Sequence, residues 1–91
     1  MAALAEKRFI LESKNMRFDH TLKLCESGAF AYGNQHSLLL ICNNKDGHYE
    51  PQLFDARYDP RFNTVESFNE NALSFMKEWS DPSFTVTEVT P

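Results

Sequence analysis

Between residues 64 and 80 the apolar side chains recur at steps of three and four positions. This is the period of an amphipathic helix, in which one stripe is apolar and the other face is polar. The apolar stripe comprises Val65, Phe68, Ala72, Leu73, Phe75, Met76 and Trp79. Thr64 or Asn63 can cap the first turn, and Pro82 ends the pattern. The pattern therefore predicts one helix that must bury its stripe against the rest of the chain.

The first third of the chain has the patterns of two strands. Residues 8–13 are rich in strand-forming residues, and residues 16–25 alternate between apolar and polar side chains. Such alternation is typical of a half-buried strand with one wet face. The polar Lys14-Asn15 pair between them predicts a tight turn, and hence a hairpin. Residues 1–7 are predicted to be a loose lead-in, because nothing in the pattern ties them down.

The middle of the chain predicts a central strand. Residues 36–43 form a continuous apolar run, which is typical of a strand covered on both faces or nearly so. The segment before it, residues 27–34, is bracketed by Gly28 and Gly33. Glycines within strand patterns favour bulges or close backbone approach. This segment is therefore predicted either to extend the previous strand or to form a short strand of its own.

Two further strands are predicted on either side of the helix. Residues 44–47 carry the clearest turn signal in the chain, since Asp-Gly accepts positive φ. A strand is predicted over residues 48–58, and Pro51, which lacks an N–H donor, places it at an edge or beside a bulge. After the helix, residues 83–89 predict a last short strand, and residues 90–91 are expected to fray.

These elements predict an α+β domain that spans residues 1–91. Short turns between consecutive strands favour an antiparallel meander of four to five strands, with one amphipathic helix packed on one face. The predicted order is β-β-(β)-β-β-α-β. The other face of the sheet is expected to be either solvated or used for contact.

Composition agrees with a single folded domain. A chain of 91 residues can build one core but not a deep cleft between two lobes. The hydrophobic fraction of 42% and the charged fraction of 24% are ordinary for globular proteins, which excludes global disorder. Eight Phe, three Tyr and one Trp supply much buried area for so small a core.

Charge and cysteine content limit the partners and the compartment. The net charge of −4 argues against non-specific binding of nucleic acid, which needs clustered Lys and Arg. No apolar run approaches the roughly 18 to 20 residues of a membrane span, and the start has no apolar segment long enough for a signal peptide. Cys25 and Cys42 are predicted to be buried, reduced thiols. We therefore expect a cytoplasmic protein that does not contact membranes.

The chemistry-bearing residues do not form a catalytic or metal-binding set. His20, His36 and His48 have no ligand spacing, so neither a metal nor a cofactor is predicted. The adjacent pair His36 and Ser37, like Cys25 with His20, lacks a third group to orient it. No glycine-rich phosphate loop is present. We therefore predict that the protein is not an enzyme.

The most unusual local pattern is the run of alternating charges over residues 55–61. One interpretation is a ladder of charges that guards the edge of a sheet. The other is a recognition patch, because arginine and tyrosine are typical of binding hot spots. The candidate partner-binding residues are Asp55, Arg57, Tyr58, Asp59 and Arg61, together with His48 and Tyr49 from the preceding hairpin.

The apolar stripe of the helix also has two interpretations. Phe68, Phe75, Met76 and Trp79 could line a ligand pocket, or they could simply form the core. In so small a domain the core interpretation is favoured. We expect Phe75 and Trp79 to face the sheet.

The first functional hypothesis is a small acidic protein-interaction module that binds another protein. Chains of this type include inhibitors that phages and mobile elements direct at a host protein. The second hypothesis is a small-molecule-binding or enzymatic domain with a pocket between helix and sheet. The third is a structural homodimer that pairs through an edge strand. A dry, filled layer between helix and sheet would exclude the second.

Overall fold

The computed structural model describes residues 3–26, 36–44, 51–56 and 59–90. In these residues the strands form one antiparallel sheet with the spatial order β4-β3-β2-β1-β5, and one α-helix packs on it. The elements in chain order are β1 (Ala3–Glu12), β2 (Arg17–Glu26), β3 (His36–Asn43), β4 (Gln52–Asp55), the 3₁₀-helix η1 (Pro60–Phe62), α1 (Val65–Trp79) and β5 (Thr85–Val89). The predicted α+β class and element order are confirmed.

The sheet is a meander extended by one strand from the end of the chain. Strands β1 to β4 are neighbours in the order in which they occur. The helix then carries the chain to the opposite edge, where β5 pairs with β1. The additional strand predicted over residues 27–34 lies outside the described residues, as does most of the turn predicted at 44–47.

The prediction of a loose lead-in is wrong for residues 3–7. Strand β1 begins at Ala3, and its early residues pair with β2, Ala5 opposite Leu24 and Lys7 opposite Leu22. The physical reason is the length of β2. Its backbone groups near Leu24 need partners, and the N-terminal segment supplies them. A hydrogen bond of 2.9 Å from the Ser13 N–H to the Met16 carbonyl closes the predicted hairpin.

Strand β4 is shorter in the structure than the predicted span of 48–58. It covers Gln52–Asp55 and begins directly after Pro51. Its position at the edge of the sheet is the one that Pro51 predicts. Residues 48–50 and 57–58 lie outside the described residues.

The helix has the predicted N-cap, but its most buried residues are not the two that were expected to face the sheet. The Thr64 Oγ1 accepts a hydrogen bond of 3.0 Å from the Ser67 N–H, as an N-cap does. The residues of α1 that are fully enclosed are Phe68, Ala72 and Met76. Phe75 and Trp79 pack against the core, as predicted, but both are only half-buried.

The two faces of the sheet differ in their packing. The face under the helix carries the core, which contains Phe9, Leu11, Leu22, Leu24, Leu39, Ile41 and Val86 from the strands. The outer face carries a buried carboxylate, Asp19, which is 8% exposed. Near the β4 edge, Leu53 is 56% exposed. The outer face is therefore partly covered and partly open.

The cysteines are free and lie apart on neighbouring strands. Cys25 is opposite Leu38, whereas Cys42 is opposite Thr21. A disulfide needs Cα atoms within about 7 Å, and this offset along the strands exceeds that reach. Burial raises the pKa of the Cys25 thiol. The prediction that both cysteines are buried holds for Cys25 and is wrong for Cys42, which is half-buried.

Candidate binding site at the C-terminal end of the helix

A cavity of about 480 Å³ opens between the last turn of α1 and the sheet. Its floor consists of side chains from β1 to β4, and its wall consists of the helix end and the segment that leads into β5. The described residues that line it are Leu11, Phe18, His20, Ile41, Asn43, Gln52, Trp79, Ser80, Asp81 and Phe84. The layer between helix and sheet is therefore not completely filled.

The cavity follows from the lengths of the elements. Strands β1 and β2 have ten residues each and extend about 33 Å. The helix has 15 residues and is only about 22 Å long. The helix ends at Trp79, which lines the cavity together with Leu11 and Phe18 near the β1–β2 turn. The aromatic residues near that turn are left with an open space above them.

Aromatic rings form a continuous surface around this space. The rings of Phe18 and His20 are stacked, with centroids 5.7 Å apart and planes inclined by 7°. The Trp79 ring meets the His20 ring edge to face at 5.7 Å. Phe84 closes the far side against Phe18 at 5.8 Å. The contacts hold these rings in fixed orientations, because such pairs add about 0.5 to 1.5 kcal/mol beyond their buried area.

His20 is one of the polar residues that line the cavity. Its Nδ1 is enclosed and has no hydrogen-bond partner among the described residues. Burial lowers the pKa of His20, and the Cys42 carbonyl and the Asp19 carboxylate offset this only in part. Burial therefore favours the neutral form of the ring. Because His20 lines the cavity, its imidazole is a polar group that a molecule in the cavity can contact.

The rim of the cavity is polar and acidic. The Trp79 Nε1–H donates to the Gln52 Oε1 at 3.3 Å, which links the helix end to β4. On the other side, the Asp81 Oδ1 accepts from the Ser83 N–H at 2.9 Å. The hydrogen bond from this backbone N–H, reinforced by the Ser83 side chain, lowers the pKa of Asp81. The rim therefore keeps a carboxylate beside the aromatic surface.

The residues predicted for partner binding are only partly placed. His48, Tyr49, Arg57 and Tyr58 lie outside the described residues. Asp55 ends β4 and its side chain is exposed. The described part of the patch does not form one surface with the aromatic cavity, since none of its residues lines that space.

Asp59 and Arg61 bind each other and do not project in parallel from an extended strand. Asp59 caps the 3₁₀-helix, and its carboxylate accepts from the Arg61 Nη2 at 2.8 Å and from the Arg61 Nε at 3.1 Å. The Arg61 Nη1 donates to Glu78 at 3.1 Å, and its guanidinium lies 5.1 Å from the Phe62 ring centre. The Arg61 side chain lowers the pKa of Asp59. This pair joins η1 to the helix.

A second polar cluster stabilises the outer face of the sheet. The Asp19 carboxylate accepts from the Arg8 Nε at 2.8 Å and from the Asn44 Nδ2 at 3.0 Å. The Thr21 hydroxyl in turn donates to the Asn44 Oδ1 at 2.9 Å. The Arg8 side chain lowers the pKa of Asp19 to about 2. The cluster connects β1, β2 and the end of β3, and its groups already have partners.

Sequence reasoning did not select the cavity residues as a site. The alternation of β2 places Phe18 and His20 on the same face as Leu22 and Leu24, and that signal was available. The missing information was that the last turn of the helix and the sheet leave a space beside His20. The sequence pattern allows Trp79 to line a pocket but favours a place in the core.

No metal-binding group of three or more His, Cys, Asp or Glu side chains occurs among the described residues. Nor does any helix within the described ranges have the length and apolar character needed to cross a membrane. Comparison of the chain with known protein families, characterised proteins and solved structures returns no match. The cavity is therefore the feature of the protein from which a function is inferred.

Proposed function

We propose that this protein binds a small, flat, largely apolar molecule in the cavity at the C-terminal end of α1. The observation that carries the proposal is an aromatic cavity of about 480 Å³ that has His20 among its lining residues. That volume lies within the roughly 300 to 1,000 Å³ typical of ligand pockets. Apolar walls with a few convergent polar groups are also typical of such sites.

A histidine at position 20 reduces the stability of the folded protein, which supports a functional role for it. A buried polar atom without a partner destabilises a protein by about 1 to 3 kcal/mol. Phenylalanine at this position could keep the ring stack with Phe18 without that cost. A ligand in the cavity would contact His20, Trp79 and Phe84, which line it.

The other hypotheses stay predictions. A protein-interaction module needs accessible side chains, and in the described part of the charged patch Arg61 is already engaged by Asp59 and Glu78. This geometry favours a structural role for that pair. Binding through the residues outside the described ranges, an enzymatic use of the cavity and a homodimer through an edge strand are alternatives that other measurements would address.

The test uses Trp79 as a reporter, since it is the only tryptophan in the chain. The probes are 2-phenylethanol, which has a ring and a hydroxyl, and ethylbenzene, which has the ring alone. Each is titrated while tryptophan fluorescence and backbone amide NMR signals are followed. For molecules of this size we expect dissociation constants in the millimolar range.

His20→Phe is the matched variant for this experiment. One hydrogen bond contributes about 0.5 to 1.5 kcal/mol, so the variant should bind 2-phenylethanol about two- to tenfold more weakly. Its affinity for ethylbenzene should stay within about twofold, because the apolar walls are unchanged. If neither probe perturbs Trp79 or the amides around the cavity at saturating concentrations, the proposed function is wrong.

A further inference from the structure

The charge carried by the described residues that line the cavity is negative. Among the described residues that line it, Asp81 is the charged side chain, and burial favours the neutral form of His20 by lowering its pKa. Lysine and arginine are not among these lining residues. Lys77, on the last turn of the helix, lines a separate depression on the other side of Asp81.

The helix end adds to the negative potential. The helix α1 ends at Trp79, and the backbone dipoles of a helix place a partial negative charge at its C-terminal end. Ser80 and Asp81 follow directly and form the lip of the cavity. Partial charge and carboxylate therefore lie on the same side of the opening.

The aromatic wall of the cavity also favours a cation over an anion. The face of an indole ring attracts cations, and Trp79 borders the space beside Asp81. The guanidinium of Arg61 forms ion pairs with two carboxylates, those of Asp59 and of Glu78 on α1. The cavity thus offers an organic cation a carboxylate, a helix C-terminus and an indole ring together.

We propose that the ligand is an aromatic or otherwise flat amine that carries one positive charge, with its ring in the cavity and its ammonium group at the lip beside Asp81 and Trp79. This inference rests on the proposed function and adds the charge class of the ligand. Carboxylate- or phosphate-bearing ligands are disfavoured at this site, because the lip repels anions.

The experiment compares three probes that share a phenyl ring: phenethylamine, 2-phenylethanol and phenylacetate. At neutral pH they are a cation, a neutral molecule and an anion. Trp79 fluorescence and amide NMR signals report binding to the full chain at low salt. We expect phenethylamine to bind about three- to tenfold more tightly than the alcohol, and phenylacetate to bind most weakly. Added salt should reduce this advantage.

Asp81→Asn isolates the carboxylate, because the amide oxygen can still accept from the Ser83 N–H and keep the turn. In this variant the advantage of phenethylamine over the alcohol should fall to about twofold or less. Glu66→Gln, in the first turn of the same helix, changes the net charge equally and should leave the ranking intact.

The outcomes separate the two proposals. If the alcohol binds but phenethylamine binds no more tightly, or if Asp81→Asn leaves the ranking unchanged, the charge inference is wrong and the binding function stands. If none of the three probes perturbs Trp79 or the cavity amides, both are wrong.

Discussion

Replacing His20 by phenylalanine should make this protein more stable. The variant removes the enclosed Nδ1 that has no partner among the described residues, and it keeps a planar ring against Phe18 and Trp79. The extra volume of phenylalanine faces the cavity, so it should not strain the core. In most proteins a change at a half-buried position is destabilising, which makes the expected sign informative.

The magnitude follows from the terms that change. Removing an unsatisfied polar atom gains about 1 to 3 kcal/mol, and the aromatic contacts worth about 0.5 to 1.5 kcal/mol are retained. Losing the hydrogen bond of the ring with the Cys42 backbone takes part of this gain away. We expect a net gain of about 1 to 2 kcal/mol in the free energy of unfolding, on a total of about 5 to 10 kcal/mol.

Urea denaturation at several pH values measures the effect. The pKa of His20 is lowered in the folded protein, so the unfolded chain takes up the proton first as the pH falls below about 6.5. The stability that comes from keeping His20 neutral is therefore present above that pH and is lost below it. His20→Phe lacks this loss, and its advantage over the wild type should grow from pH 7 to pH 5.

The contrary result is a lower urea midpoint for His20→Phe at pH 7 with an unchanged slope. It would mean that the imidazole already has a favourable interaction in the folded protein. The His20 imidazole would then not be available to form a hydrogen bond with a ligand. A more stable variant that also binds 2-phenylethanol more weakly would show that stability is given up for binding at this position.

Asp19→Asn should make the free energy of unfolding depend less on pH in the acid range. The pKa of Asp19 is held at about 2, so its contribution to stability is present above about pH 4 and is lost as the pH falls toward 2. This contribution amounts to at most about 2 kcal/mol. Urea midpoints at pH 3 and pH 6 for both proteins check this, and equal pH dependence in the two would contradict it. Phe68→Ala should cost about 3 to 5 kcal/mol because the ring is fully enclosed, whereas Trp79→Ala, at a half-buried site beside an existing cavity, should cost only about 1 to 2 kcal/mol. Thermal melts compare the two variants, and a larger loss for Trp79→Ala would show that the helix is packed differently. Iodoacetamide should label the half-buried Cys42 before the enclosed Cys25, as read by peptide mass spectrometry; equal rates would contradict the burial difference.

The elements that repeat a pattern could be predicted from the sequence. The period of the helix, the alternation of β2 and the apolar run of β3 each depend on which side of the element is buried. The cap at Thr64 and the edge position set by Pro51 are local as well. These features require no knowledge of distant parts of the chain.

The cavity and the first strand could not be predicted in the same way. Residues 3–7 have a weak pattern of their own and become a strand because β2 offers backbone partners. The space above His20 exists because a helix of 15 residues lies on strands that extend beyond it. The pairing of Asp59 with Arg61 depends on the turn into η1, which replaces the extended chain assumed for that segment. Each of these three features depends on contacts between parts of the chain that the local sequence pattern does not describe.

The most direct test of the binding proposal is to locate a bound probe. Isotope-filtered NMR on labelled protein saturated with 2-phenylethanol detects contacts between the protons of the probe and those of the protein. The proposal predicts contacts from the phenyl ring to Phe18, Trp79 and Phe84, and from the side chain of the probe to His20. Contacts confined to the outer face near Leu40 and Leu53, or none at saturation, would contradict it.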